Sequence, residues 1–213
     1  MPPKQHYTKE DILKAAFALV REEGLPGLSV RRIAERLGCS TAPVYTYCRD
    51  MEEVREAVME KALSLLMEYT DRTYTDDAFL NVGAGLLVYA RENPLLYREL
   101  FMNGNRYSHM LEKFNDSRIK AIQGEPFADL LHRETLQAIY DKLAVFSHGL
   151  AAMVCADMLA DTSDSFFIHT LWDVGADFFG SVLYRSGQAS LLREWMSKDD
   201  YKQMQINFKL DIK

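Results

Sequence analysis

Periodicity narrows the fold of this chain most. Apolar residues recur at three- and four-residue spacing from Ile12 to Leu183, and no run of alternating β-branched residues is long enough for a strand. Proline is confined to positions 2, 3, 26, 43, 94 and 126, where elements would begin or end. The pattern predicts an all-α fold of helices joined by short breaks. At 213 residues, 48% apolar and 26% charged, the chain is long enough to bury a core. No apolar run approaches the roughly 20 residues of a membrane span, the longest being Gly149–Ala156. The first six residues lack the apolar stretch of a secretory signal. Cys39, Cys48 and Cys155 form neither a disulfide framework nor a zinc pattern, which predicts a reducing, cytoplasmic setting with no membrane partner.

Charge is uneven. Net charge is −6, yet residues 1–50 carry eight Lys/Arg against six Asp/Glu, and residues 51–213 carry seventeen against twenty-five. A slightly basic head on an acidic body suggests two modules with different partners. In the head, Thr8 with Asp11 predicts a capped first helix carrying Ile12, Ala15, Ala16, Leu19 and Val20, closed by Gly24. Ser29 caps a second helix that Gly38 ends, and Ser40 caps a third, with Pro43 tolerated in its first turn. A long helix follows from about Met51 to Thr70. Further helices are expected at 78–92, 94–102, 108–121, 133–159, 165–185 (with Asp164 as cap) and 189–197, leaving the tail 198–213 unassigned.

The stretch Val30–Tyr47 carries the functional signal. Two short helices flank Gly38, Ala34 stands four residues before it and Val44 six after, and Ile33, Leu37, Val44 and Tyr47 fall at inward positions. A small residue permits close helix approach, and glycine takes a backbone angle that a side chain penalises. This is helix-turn-helix spacing, which presents the second helix to the DNA major groove. Any two short helices around a glycine would share the spacing.

The wider segment Thr8–Val58 resembles the DNA-binding head of TetR-family transcriptional regulators. The residues carrying the resemblance are Ile12–Ala16, Gly24, Leu28–Gly38, Val44-Tyr45-Thr46-Tyr47 and Glu52-Glu53-Val54. It implies a helix-turn-helix head at 1–50, with a recognition helix at about 40–48, and a ligand-binding and dimerisation domain at 51–213. It also implies a homodimer on a palindromic operator in double-stranded DNA, most simply a repressor released by a small-molecule effector. Carried over by position, Ser40, Thr41, Ala42 and Thr46 lie at the groove, Tyr45 and Tyr47 bond phosphates, and Ser29 and Arg31 sit near the DNA backbone. Two departures stand out. Cys48 and Met51 replace a family aromatic and a family lysine, and positions 40–48 hold no Lys, Arg, Asn or Gln. Losing one phosphate contact should flatten the salt dependence by about one unit per monomer.

In the body, Arg91–Phe101 resembles a segment common in this family's C-terminal domains. Phe79, Tyr89, Tyr97, Phe101, Met102, Tyr107, Met110, Phe114, Phe146 and Trp172 are the candidates to line a pocket for an apolar or aromatic effector. Such residues at helical spacing also read as core, and His148 reads as a hydrogen-bonded core histidine. The last two long helices mix small residues (Gly149, Ala151, Ala152, Ala156, Gly175, Ala176, Gly180) with large ones (Leu136, Leu143, Leu150, Phe178, Phe179, Leu183). This fits the family's four-helix dimer interface, and a buried pair within the chain would look the same. No phosphate loop, His-Glu-x-x-His or nucleophile elbow points to an enzyme, and nothing calls for a cofactor or metal. A second reading stays open: a ligand- or partner-binding protein on the same fold whose DNA binding is weak or lost.

Overall fold

The computed structural model describes residues 7–48, 50–123, 128 and 131–191. The described part is all-α. Helices α1 (Lys9–Glu23), α2 (Val30–Leu37) and α3 (Thr41–Tyr47) form the head, and α4 (Met51–Thr70) follows directly. The body adds α5 (Ala78–Glu92), α6 (Pro94–Phe101), α7 (Ser108–Gln123), α8 (Arg133–Cys155) and α9 (Asp164–Arg185). The sequence boundaries hold at α1, α2, α4 and α5. Helix α8 stops four residues short of the expected Leu159, and Ser163 rather than Asp164 caps α9, its hydroxyl accepting from the Phe166 N–H at 3.2 Å. Of the expected last helix, Ala189–Leu191 is a 3-10 turn, while residues 192–197 and the tail lie outside the described residues.

Local chemistry accounts for the helix ends. Thr8 and Asp11 make a reciprocal capping box at α1, with Asp11 N–H donating to Thr8 Oγ1 at 3.2 Å and Thr8 N–H to Asp11 Oδ2 at 2.9 Å. Asp50 starts α4 by accepting from Glu52 N–H at 2.8 Å, and Asp77 starts α5 by accepting from Leu80 N–H at 2.9 Å. Asn93 does not cap α6 through its side chain; its amide nitrogen donates to Tyr69 Oη and to the Tyr89 carbonyl.

Head and body share one apolar cluster. It runs from Ile12, Ala16, Leu19, Ile33 and Val44 through Val58, Met59 and Leu66 to Leu87, Leu96, Leu100 and Phe167. Helix α4 packs on α1 at the head side and on α5, α6 and α7 in the body. Helix α5 lies between α4, α8 and α9. Among the described helices, α8 alone has the length and apolar content to cross a membrane. Here it packs on α5, α6 and α9, burying Leu136, Ile139, Leu143, Leu150 and Ala151.

Gly85 sets the α4–α5 crossing. A Cβ at this position would sit 2.6 Å from Thr70 Cα and closer still to the Tyr69 carbonyl oxygen, both backbone atoms that cannot turn aside. Gly85→Ala should therefore destabilise the chain by about 2–3 kcal/mol through overpacking, read as a lower urea midpoint. An unchanged midpoint would show that the crossing relaxes without cost.

Candidate nucleic-acid interface and effector cavity

The turn between α2 and α3 is set by Gly38. Its φ of 67° and ψ of 32° lie in the left-handed region, and a Cβ there would meet nothing within 4 Å. The demand for glycine is thus conformational rather than steric. Cys39 N–H donates to Ala34 C=O at 3.0 Å and Gly38 N–H to Glu35 C=O at 3.1 Å, which closes the end of α2. Ile33, Ala34, Val44 and Cys48 are buried and seat α3 across α2. The thiol of Cys48 is pushed up by burial, so it stays protonated and acts as a small apolar residue. Tyr7 adds a tie, its hydroxyl donating to Leu37 C=O at 3.0 Å.

All eight residues expected at DNA, Ser29, Arg31, Ser40, Thr41, Ala42, Tyr45, Thr46 and Tyr47, are exposed. Tyr45 and Tyr47 are 58% and 45% exposed, large for aromatic residues on a packed head. Tyr47 therefore does not take the inward position that its spacing suggested. On so short a helix, Val44 and Cys48 fill the inward seam. Ser40 precedes α3 without a side-chain cap bond, whereas the Ser29 hydroxyl accepts from Arg32 N–H at 3.3 Å and keeps its own proton to donate. Thr46 Oγ1 donates to Ala42 C=O at 3.0 Å, so its oxygen faces outward as an acceptor.

The arginines of α2 are paired at the surface. Arg31 bonds Glu35 at 2.8 Å, Arg36 bonds both oxygens of Glu22 at 2.7 Å, and Arg32 pairs with Glu23. Exposed pairs of this kind hold by roughly 0.2–1 kcal/mol, little enough for a phosphate to take Arg31 from Glu35. Near Met51, Arg106 from the turn after α6 and Arg55 both pair with Glu52. Arg49, the remaining cation beside Met51, lies outside the described residues.

In the body, α4, α5, α7, α8 and α9 enclose a mostly apolar cavity of about 90 Å³. Of the ten residues expected to line a pocket, Phe79, Phe114 and Trp172 do so and the other seven do not. Tyr89, Tyr97, Tyr107 and Met110 are buried in the core cluster, where Tyr89 donates to Ala62 C=O at 3.1 Å. Phe101 and Phe146 pack half-buried on that cluster, and Met102 is exposed at the end of α6. Tyr97 sits one layer behind the wall, its hydroxyl 2.8 Å from Nδ1 of His148, which does line the cavity. Burial alone pushes His148 down to about 4, so its ring is neutral at pH 7.

Sequence reasoning missed most of the polar wall: Thr70, Asn115, Arg118 and Ser147. It also assigned Gly175 and Ala176 to a dimer seam. The structure puts both at the cavity, where a missing side chain makes room. Leu136, Leu143, Leu150, Phe179 and Leu183, expected to supply interface area, are buried inside the chain instead. The exposed apolar residues of these helices are Val145 and Met153 on α8 and Trp172 and Tyr184 on α9.

Residues 12–58 match the family of bacterial regulatory proteins, tetR family. The chain is 34% identical over 99 residues to the HTH-type transcriptional repressor DrrR1 of Streptomyces coeruleorubidus, covering 45% of this chain and 34% of that protein. It is 30% identical over 69 residues to the tetracycline repressor protein class C of Escherichia coli, covering 32% of this chain and 31% of the repressor. The chain thus spans about a third of the length of each of these curated relatives.

Two outcomes follow for the head and the cavity. Gly38→Val should cost about 1–2 kcal/mol through its left-handed backbone, while Gly38→Asn, which tolerates that region, should lose less. Urea unfolding reads both, and equal losses would remove the conformational argument. For His148, the unfolded ring takes its proton near 6.5 and the folded ring near 4. Stability should therefore fall as pH drops from about 6.5 to about 4, by about 3 kcal/mol, and then level off. His148→Gln should remove that component from urea unfolding measured across this range.

Proposed function

We propose that the chain, whose residues 12–58 match the family of bacterial regulatory proteins, tetR family, is a ligand-responsive repressor of that family binding a palindromic operator as a homodimer. The observation that carries the reading is the α3 surface. Ala42, Tyr45 and Thr46 share the face turned away from Val44 and Cys48, and all three are exposed on a helix held by the Gly38 turn. In the groove, the Ala42 methyl meets a thymine methyl, and Thr46 Oγ1 accepts from an adenine or cytosine amine. Tyr45, Tyr47, Ser29 and Arg31 hold the phosphates and set register. With no Lys, Arg, Asn or Gln at positions 40–48, sequence is read through methyl contacts and DNA shape more than through bidentate hydrogen bonds.

A single helix-turn-helix reads half of a site, so two copies are needed for a palindrome. The exposed Val145, Gly149 and Met153, spaced by four along α8, and Tyr184 on α9 support a face for a second copy. The effector occupies the cavity. Thr70, the last residue of α4, is part of its wall, and three residues separate the start of α4 from the end of the recognition helix. A 20-residue helix is about 30 Å long and stiff, so a shift at Thr70 is felt at Met51. In a dimer this alters the separation of the two recognition helices, and the operator spacing is lost.

The test is selection of duplexes from a random-sequence library by the purified chain at two salt concentrations. An enriched inverted repeat, weakened by salt, is the expected result. Tyr45→Phe should lower affinity for every enriched duplex alike, because a phosphate contact carries no base information. No enrichment at low salt, from protein that sediments as a folded dimer, would move the function to ligand or partner binding alone.

A further inference from the structure

The stretch of chain that joins α6 to α7 grips the head end of the molecule at two points. Glu99, near the end of α6, is buried and accepts from Leu25 N–H at 3.0 Å, in the turn between α1 and α2. A Cβ at Gly24 would sit 3.2 Å from the same carboxylate oxygen, so that turn lies tight against α6. Further along, Arg106 Nε donates to Glu52 Oε1 at 3.0 Å and its Nη2 donates to Glu52 Oε2. Two prongs of the guanidinium thus meet two carboxylate oxygens, a geometry that fixes orientation as well as distance. Arg55 adds a bond to the same carboxylate at 3.3 Å. Glu52 stands in the first turn of α4, just after the recognition helix. Arg106 is itself firmly placed, because its neighbour Tyr107 is 3% exposed and packed in the core cluster, and α7 starts at the next residue. Both flanking helices reach the cavity, α6 through Tyr97 and His148, α7 through Phe114, Asn115 and Arg118.

We propose that Arg106 is the positioning residue for the recognition helix: by holding Glu52 it fixes the start of α4, and the head attached to it, on the body. Its bearing on DNA rests on the reading of the chain as a DNA-binding regulator. Val54 and Val58 seat the next turns of α4 by apolar packing, which is not directional, whereas a two-pronged bond is. Without that bond the head samples other orientations, and apparent DNA affinity falls with the fraction that is competent. Arg106 and Glu52 are 54% and 37% exposed, so the pair shifts that balance by a few-fold and yields to a small movement of its supports. A cavity occupant that moves α6 or α7 therefore acts at the start of α4 directly, as well as at its far end through Thr70. The device is placed where a weak interaction has the most effect, next to the helix that must fit the groove.

The test is hydrogen exchange, read by mass spectrometry on the full chain without DNA, for Arg106→Gln, Glu52→Gln and the double variant. Each single change should speed exchange of the α3 and early α4 amides about threefold to fivefold, the worth of one such pair, and leave α8 and α9 unchanged. The double variant should be no faster than either single one. Exchanging the charges, Glu52→Arg with Arg106→Glu, should recover part of the loss, since an arginine at a helix start opposes the dipole. On a duplex that the unaltered chain enriches, both single variants should bind about tenfold more weakly as dimers, with the slope of log affinity against log salt unchanged. Unchanged exchange in α3 for both single variants overturns the proposal. A salt slope that drops by about one per protomer in Arg106→Gln, with Glu52→Gln binding tighter, also overturns it and makes Arg106 a phosphate contact. If no duplex is enriched, the regulator reading fails, and the exchange result alone decides whether Arg106 holds the head.

Discussion

Helix α4 is packed from the head and the body at once, and the remaining features depend on that. Val54, Val58, Met59, Ala62 and Leu66 are all buried in a cluster that also holds Ile12, Leu19 and Val44 of the head and Leu87, Leu96 and Leu100 of the body. A helix seated in such a continuous core cannot shift at one end without repacking at the other, because cores are close-packed rather than fluid. The Gly85 crossing adds a second restraint, since the α5 backbone lies against Tyr69 and Thr70 with no side chain between. Movement of the α4 end is thus tied to α5, and α5 supplies five residues to the cavity wall.

Helix α6 gives a parallel connection. Tyr97 touches the cavity through His148, and two residues later the buried Glu99 accepts from Leu25 N–H at 3.0 Å, in the turn between α1 and α2. Asn103 holds the other carboxylate oxygen at 2.7 Å. A buried carboxylate with both oxygens bonded is expensive to leave half-satisfied. The head turn and the cavity wall therefore share one short helix. The division into a head and a body that the chain's charge suggests is real in composition and absent from the packing.

Much of the fold was legible because its determinants are local. Thr8 with Asp11, Ser29 and Gly38 act on backbone groups within four residues of themselves, and they placed the first two helices of the head and the turn after them. The cavity was less legible because it is made of absences. Gly83, Gly175 and Ala176 line it by leaving space, and in a sequence they look like residues of a close helix contact. Aromatic content misled for a related reason. Tyr89 and Tyr97 have the composition of a pocket, but their rings fill the core and only the Tyr97 hydroxyl reaches toward the wall.

An all-α chain, a helix-turn-helix around Gly38 and a family resemblance across about a quarter of the length are written in the residues alone. Helix periodicity, caps and a left-handed glycine are short-range physics, and short-range physics is written in neighbouring residues. Tertiary packing alone fixes which aromatic residues face the cavity and that Arg118 on α7 meets Thr70 and Asp71, forty-eight and forty-seven positions away. That pairing depends on how α4 and α7 cross, with α5 held against the same end of α4. The crossing follows from side-chain volumes and from the missing side chain at Gly85, which no spacing rule along one helix reveals.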